Sequence, residues 1–333
     1  MRGVRDGAGQ TMTPSRFPRP AQERAFLQSV VYAALFDYPL TLPQLCEALI
    51  GEEADEAALR EWYKASQYLQ AAVDEQDGYY FPRGRHDLVA ARAARERESR
   101  KLLRRWSGPL TLLTRLPFVR MVALSGSLAH LNGEADADLD VFVVTSPHRV
   151  WSVTVTALLI ARLFGWRKRL CLNYVVSERA LWVGPADLFS ANQIVHLQPI
   201  TGEATYRKFL AANRFVERFY PNFVPRRPQS EATPFAPRWA RLMAAAETVM
   251  DWTIAPAFES LCALVYRTHL RRRAHTWQSR DQVRLEPECL KLHTSSHRRE
   301  VMERFERALD GAMEQVEVDT LRFAESSRVP AFR

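Results

Sequence analysis

Three aspartates at every second position, Asp136, Asp138 and Asp140, lead into an apolar run at residues 141–144. Alternate side chains of a β-strand point to the same face, so these carboxylates are predicted to point together. Two carboxylates about 4 Å apart repel by roughly 4 kcal/mol at an effective dielectric of about 20. A divalent cation between them removes the repulsion, and an all-oxygen ligand set favours Mg²⁺ or Mn²⁺. The pattern therefore predicts a cation site that holds a phosphate.

A glycine-serine turn comes shortly before the aspartates, at Gly126-Ser127. Apolar residues predict a strand that ends at this turn, a second strand that begins with the aspartates, and a third strand at residues 168–178. A helix is predicted between the second and third strands, at residues 149–164. The centre of the chain is therefore expected to be a sheet with helices packed on it.

The turn and the aspartates together resemble the nucleotidyltransferase superfamily of the DNA polymerase β type. The matching residues are Leu124, Gly126 and Ser127, and then Asp138-Leu139-Asp140-Val141 after a gap of ten. The resemblance implies that Asp138 and Asp140 bind metal ions, while Ser125, Gly126 and Ser127 hold the phosphates of a nucleoside triphosphate such as ATP. The implied reaction is Mg²⁺-dependent transfer of a nucleoside monophosphate to a hydroxyl group. The acceptor stays open between a small molecule, a protein side chain and an RNA end.

Further segments resemble, more particularly, an uncharacterised bacterial group of that superfamily with an N-terminal winged-helix-like segment. They are residues 36–41, 170–178, 198–202 and 211–223. This resemblance covers most of the chain from about residue 25. It implies no substrate.

The third strand departs from the superfamily pattern, which usually supplies a further carboxylate there. Period two puts Cys171 and Asn173 on the face where that acid is expected. An amide oxygen can ligate Mg²⁺ but cannot accept a proton, so Asn173 is a weakened catalytic residue. Asp136 is a candidate third metal ligand in its place. The competing hypothesis is a catalytically weak or inactive regulatory protein that binds nucleotides or nucleic acid.

The predicted fold class is α+β, with a mixed-sheet nucleotidyltransferase core, an N-terminal winged-helix-like domain and a C-terminal helical region. Five prolines between residues 221 and 238 predict an extended linker. The predicted divisions are a disordered lead-in at 1–20, the winged-helix-like domain at 21–87, the nucleotidyltransferase domain with a leading connecting helix at 88–220, the proline-rich linker at 221–238 and the helical region at 239–333.

The winged-helix-like domain is predicted from three helical patterns followed by a small hairpin. The third helix is predicted over residues 55–78, and the hairpin turns at residues 83–85. Acidic and basic side chains nearly cancel on that helix, which favours a domain-packing or substrate-presenting role over high-affinity DNA binding. The basic hairpin keeps nucleic-acid binding open.

Composition favours a cytoplasmic protein. The four cysteines form no CxxC pair, the first twenty residues lack an apolar core, and Arg162 interrupts the longest apolar stretch. No membrane span is therefore expected. The net charge of +8 suits RNA or another polyanion as an additional partner.

Two weaker candidates involve histidine. Cys289, His293 and His297 are spaced by four, which predicts one helix face, either as part of a zinc site or, preferably, for packing or for touching phosphates with Arg298. His130 follows the glycine-serine turn and either approaches the triphosphate or is an ordinary surface residue.

Overall fold

The computed structural model describes residues 20–227, 237–279, 282–292 and 297–326. The side chains of Asn173 and of residues 237–241 and 317–326 lie outside this description. So do the predicted lead-in up to residue 19 and residues 228–236 of the predicted linker. Within the described ranges, every helix is too short or too polar to cross a bilayer.

Residues 20–82 form four short helices and a three-stranded antiparallel sheet of order β1-β3-β2. The helices are α1 (Pro20–Ala34), α2 (Leu42–Glu47), α3 (Glu56–Ala65) and α4 (Gln67–Ala72), and the strands are β1 (Leu40–Thr41), β2 (Val73–Gln76) and β3 (Tyr79–Pro82).

The single helix predicted over residues 55–78 is wrong, because Ser66 divides it. The Ser66 hydroxyl accepts a hydrogen bond from the backbone N–H of Leu69 and so caps the start of α4. The hairpin turns at Asp77-Gly78 instead of residues 83–85, and both turn residues have positive φ angles of 54° and 79°. Such angles are typical of a two-residue hairpin turn that matches the strand twist.

The rest of the chain surrounds a six-stranded sheet of order β7-β4-β5-β6-β9-β8. Strands β5 and β6 pair in parallel and the other neighbours are antiparallel, so the predicted α+β fold with a mixed sheet is confirmed. The strands are β4 (Val119–Leu124), β5 (Leu139–Thr145), β6 (Leu170–Ser177), β7 (Gln198–Thr201), β8 (Val283–Glu286) and β9 (Cys289–Leu292). The helices are α5 (Asp87–Thr114), α6 (Gly126–Ala129), α7 (Val150–Leu163), α8 (Leu188–Val195), α9 (Glu203–Ala212), α10 (Val216–Phe219), α11 (Pro237–Trp252), α12 (Ala255–Arg272) and α13 (Arg298–Ser326).

The region after residue 239 was expected to be helical, but it also contributes the β8–β9 hairpin to the central sheet. Strand β9 pairs with β6, and Leu290 lies opposite Val175. The hairpin covers backbone groups of β6 that would otherwise form a sheet edge. Because Cys289 lies in a strand, the predicted helix face with His293 and His297 does not exist, and His293 lies outside the described residues.

Apolar side chains cover both faces of the central sheet. Phe142 and Val144 of β5 belong to a buried cluster that continues through α8 and α9 to α1, while Val141 and Val143 belong to a second cluster with α5, α7 and α12. Leu139 joins Val141 and Val143. Period two thus separates these residues from Asp140, as predicted.

A carboxylate from α12 caps the start of α7. The two oxygens of Glu259 accept hydrogen bonds from the backbone N–H groups of Trp151 (2.9 Å) and Ser152 (2.7 Å). Helix α7 has no side-chain cap of its own at Arg149. A carboxylate at a helix N-terminus satisfies otherwise unpaired donors and complements the helix dipole. This contact fixes α12 against the start of α7.

Candidate active site

The glycine turn lies directly against the carboxylate of Asp140. The backbone N–H of Ser125 donates to the carbonyl of Asp140 at 3.0 Å, which joins the end of β4 to the start of β5. Gly126 follows with φ +62°, and a Cβ atom there would overlap Oδ2 of Asp140 and lie 3.1 Å from its Cγ. Only glycine satisfies both the left-handed conformation and this close approach.

Asp138 and Asp140 form a pair of like charges at the start of β5. Asp138 is exposed and Asp140 is half-buried. Burial first, and then the charge of Asp138, raises the pKa of Asp140 to about 6, although a hydrogen bond with Cys171 acts in the opposite direction. A carboxylate with a raised pKa gains from a cation that offsets both negative charges.

Asp136 does not share the strand face with the other two aspartates. Strand β5 begins at Leu139, and Asp136 lies in a turn that precedes it. Its backbone carbonyl accepts a hydrogen bond from the guanidinium group of Arg169. The period-two pattern predicted one face for all three residues. The strand alternation begins only after the turn that contains Asp136, so the pattern does not apply to this residue.

Cys171 occupies the position on β6 opposite the pair. It is the register partner of Asp140, and its Sγ lies 3.8 Å from Oδ2 of Asp138. Burial and the two carboxylates raise the pKa of Cys171 to about 12, so the thiol is neutral at pH 7. The side chain of Asn173 lies outside the described residues. Thus a neutral thiol stands on the third strand where the sequence resemblance led us to expect an acid.

Two carboxylates are available for a metal ion, with no larger ligand set. Among the described residues, no group of three or more His, Cys, Asp or Glu side chains could hold a metal. Mg²⁺ commonly binds proteins through one or two carboxylates and takes its other ligands from water and substrate phosphates. Asp138 and Asp140 fit that mode, because they are adjacent and Asp140 carries a raised pKa.

Asp140 faces a cavity of about 230 Å³ (the first cavity), whereas Asp138 is not among the described residues that line it. Its wall includes Ser125, Gly126 and Asp140 together with the basic residues Lys291 and Arg298. Aromatic side chains complete the wall, namely Phe142, Tyr174, Phe189 and Phe209.

Both basic residues of the first cavity are held in defined contacts. The ammonium group of Lys291 lies 3.3 Å from Oε1 of Gln282 and 5.3 Å from the centre of the Tyr174 ring. Arg298 forms an ion pair with Asp187. Sequence reasoning named Arg298 as a phosphate contact but missed Lys291, which lies in a hairpin taken for helix. The alternation in Cys289–Leu292 is the signal that could have found it.

The chain matches no family model, no curated protein and no solved structure. Neither the nucleotidyltransferase resemblance nor the winged-helix-like arrangement of residues 20–82 is therefore supported by similarity to a known protein. An activity has to be inferred from the side chains and the cavities themselves.

A larger cavity of about 500 Å³ (the second cavity) adjoins the first. Gly126 and Gln193 line both cavities, whereas Ser127 and Asp136 line only the second. The predicted phosphate residues are thus divided, because Ser125 faces the first cavity and Ser127 the second.

Two histidines lie on the wall of the second cavity. The rings of His130 and His196 are 4.9 Å apart, centre to centre. Burial lowers the pKa of His196 to about 4, and burial, followed by the charges of His196 and Arg92, lowers the pKa of His130 well below its usual value. Both imidazoles are therefore neutral at pH 7. His130 is neither a surface residue nor part of the first cavity.

Proposed function

We propose that this protein is a Mg²⁺-dependent nucleotidyltransferase that moves a nucleoside monophosphate from a nucleoside triphosphate to a hydroxyl acceptor. The proposal depends on one observation: the Asp140 carboxylate, packed against the Gly126 turn, opens into a cavity that Lys291 and Arg298 also line. An acidic ligand for a cation and basic ligands for phosphate thus face the same space. Such a pairing suits a polyphosphate bound together with its metal.

Each wall of the first cavity has a role in this proposal. Lys291 and Arg298 bind the charged phosphates, and the turn offers the backbone N–H of Gly126 and the hydroxyl of Ser125 to the same oxygens. The aromatic wall, with Phe142 and Tyr174 in edge-to-face contact at 5.3 Å, accommodates a planar base.

Asp138 and Asp140 would hold the Mg²⁺. When bound there, the ion offsets negative charge at the α-phosphoryl group and lowers the pKa of the attacking hydroxyl. In the reaction, the acceptor oxygen forms a bond to the α-phosphorus while the bond from that phosphorus to the α,β-bridging oxygen breaks. Pyrophosphate leaves with the bond's electrons, and the hydroxyl proton passes to solvent.

For residues 20–82 we infer a winged-helix-like unit that packs against the catalytic part and does not read DNA. Helix α3 carries Glu56, Arg60, Glu61 and Lys64, whose charges cancel. A helix without net positive charge gains little from phosphate contacts in the major groove. We further infer a cytoplasmic location, since all four cysteines are free thiols.

A non-catalytic nucleotide-binding regulator is the second candidate. It is favoured by the neutral thiol of Cys171 opposite the carboxylate pair, where a third acid would assist proton transfer. Such a protein would bind a Mn²⁺–nucleotide complex without releasing pyrophosphate.

The two candidates are separated by measuring binding and turnover on the same preparation. Pyrophosphate release is followed with each of the four NTPs, Mg²⁺ or Mn²⁺ and a cell extract as the acceptor source. NTP binding is measured by equilibrium dialysis. Turnover that Asp140→Asn abolishes supports the transferase, with Asp310→Asn, at an exposed position on α13, as the matched control. Binding without turnover supports the regulator. The absence of both binding and turnover refutes both candidates.

A further inference from the structure

We propose that the second cavity is the acceptor site, and that it takes a small neutral or cationic hydroxyl compound, not a protein or an RNA end. This proposal rests on the proposed nucleotidyl transfer and names its second substrate class. The supporting observations concern the cavity's size, its unpaired polar groups, its charge and its connection to the first cavity.

The second cavity is a recess between two parts of the chain. Helix α1 and residues 36–40 form one wall, and the loop after α6 with the end of α8 forms the other. Asn132 donates from its side-chain Nδ2 to the carbonyl of Phe36 at 2.7 Å, which holds the two parts together. A cavity of about 500 Å³ lies in the size range of small-molecule sites, whereas a stable contact with a folded macromolecule covers a much larger surface.

Buried polar atoms on this wall have no partner among the described residues. The hydroxyl of Tyr32, a residue only 2% exposed, is one of them, and Oδ1 of Asn132, a residue 8% exposed, is another. Nδ1 of His130 is a third. Unpaired buried polar groups are costly. Because Tyr32, Asn132 and His130 all line this cavity, a polar ligand that reaches these side chains from it would complete their hydrogen bonds.

The charge of the wall selects against anions. Of the described charged side chains that line the cavity, Asp37, Glu134 and Asp136 are carboxylates and Arg95 is the one guanidinium. Arg95 contacts both Asp37 (3.3 Å) and Glu134 (3.1 Å). Arg85 also pairs with Asp37 at 3.1 Å, and both histidines are neutral, so one carboxylate is in excess and a phosphorylated acceptor would be repelled. The triphosphate accordingly belongs in the first cavity with Lys291 and Arg298.

The two cavities meet at Gly126, which has no side chain to separate them. Gln193 also lines both cavities, so a hydroxyl of a compound in the second cavity faces the α-phosphorus of a nucleotide in the first between the Gly126 turn and Gln193. Its oxygen replaces the α,β-bridging oxygen on phosphorus. The product is a nucleoside monophosphate ester of the acceptor together with pyrophosphate, and the released proton leaves to water beside the exposed Asp136.

The test uses the full chain with Mn²⁺ and each α-³²P-labelled NTP in turn. A cell extract, separated by ultrafiltration into small molecules and macromolecules, supplies the acceptors. The label should enter the small-molecule fraction, and passing that fraction through an anion exchanger beforehand should leave the acceptor activity in the flow-through. Label on protein or RNA alone, or acceptor activity retained by the exchanger, would overturn the proposal.

Tyr32→Phe tests the cavity itself, since it removes only the unpaired hydroxyl and should leave folding intact or improved. We expect it to raise the KM for the small-molecule fraction about tenfold while the KM for the NTP stays within about twofold. Tyr206→Phe is the matched control, because Tyr206 is equally buried and lines neither cavity.

The outcomes distinguish the acceptor site from the activity. Labelled product that forms equally well with Tyr32→Phe refutes the acceptor site but leaves the transferase intact, as does a rise in the KM for the NTP instead of the acceptor. If no fraction yields labelled product while NTP binding is retained in dialysis, both the transferase proposal and the acceptor-site proposal are refuted.

Discussion

The backbone N–H of Ser125 donates to the carbonyl of Asp140 at 3.0 Å, and this bond determines where the glycine turn meets the carboxylate. It ties the last residue before α6 to the second residue of β5. The Gly126 backbone therefore reaches the Asp140 side chain without depending on any other side chain. The proposed phosphate and metal contacts thus share one rigid element, which is the condition for a preorganised site.

We predict that Gly126→Ala abolishes nucleotidyl transfer and destabilises the fold. The added methyl group meets the Asp140 carboxylate and also forces a left-handed conformation on alanine. The matched control is Gly84→Ala, at φ +79° with nothing within 4 Å, which keeps only the conformational cost of about 1 kcal/mol. Urea unfolding and pyrophosphate release measure the two effects. Equal losses for both variants would show that the contact with Asp140 is unimportant.

The pKa of Asp140 should be about 6 in the metal-free protein and should fall in Asp138→Asn, because removal of a like charge favours the ionised form. Carbon-13 NMR of the labelled aspartate carboxyls measures both values. An unchanged pKa in Asp138→Asn would mean that burial alone perturbs Asp140.

The same pKa predicts how Asp140 affects stability. The folded state binds the proton more tightly than the unfolded chain, whose carboxyl titrates near 3.8. The contribution of Asp140 to the free energy of unfolding is thus most favourable below pH 3.8, and it is lost as the pH rises through 6. Asp140→Asn should therefore stabilise the fold at pH 8 by about 1–2 kcal/mol, allowing for its partial exposure. If Asp140→Asn is less stable than wild type at pH 8, the ionised Asp140 carboxylate does not destabilise the fold.

Acid should weaken the fold through His196. Its pKa is lowered to about 4 from 6.5, so the unfolded chain takes up the proton first as the pH falls. The stability contribution is complete above pH 6.5 and is lost between 6.5 and 4, amounting to roughly 2–3 kcal/mol. His196→Gln should remove this part of the acid dependence, whereas His275→Gln, at an exposed position, should not. Unfolding curves at several pH values give the free energy of unfolding for each protein. Parallel pH profiles of this free energy for wild type and His196→Gln would refute the role of His196.

Glu259→Gln should cost about 2 kcal/mol in the free energy of unfolding. The amide can accept from only one of the two backbone N–H groups, at Trp151 or Ser152, and its NH₂ group opposes the other. Glu306→Gln, at an exposed position on α13, is the control. Urea denaturation measures the difference, and a loss no larger than in the control would exclude the capping role.

Cys171 should react slowly with iodoacetamide at pH 8, although its side chain is half-exposed. With a pKa of about 12, only a minute fraction of the thiol is ionised. The Asp138→Asn/Asp140→Asn double variant should react faster, because two of the causes of the raised pKa are then gone. Peptide mass spectrometry gives the rate at this residue. Equal rates in the two proteins would show that the carboxylates do not control the thiol.

Local patterns predicted the elements that depend on nearby residues. Period two assigned Leu139, Val141 and Val143 to the face opposite Asp140, and it set Cys171 beside the carboxylates. The predictions were wrong where a capping or turn residue interrupted the pattern. Ser66 divides a helix that looked continuous, and the turn before Leu139 removes Asp136 from the strand face.

By itself, the sequence determined the mixed α+β character of the chain and the likeness of its glycine turn and two aspartates to a metal–phosphate site. These features depend on residues within one strand, one turn or two adjacent strands. Only the tertiary structure decided that Lys291 and Arg298 face Asp140, and that Tyr32 and Asn132 share a wall with Ser127. Lys291 and Arg298 lie more than 150 positions after Asp140, and Tyr32 lies about 100 positions before Ser127 and Asn132. The sheet order and the packing of α1 bring them together. Hydrophobic periodicity specifies which face of an element is buried, but not which distant element covers it.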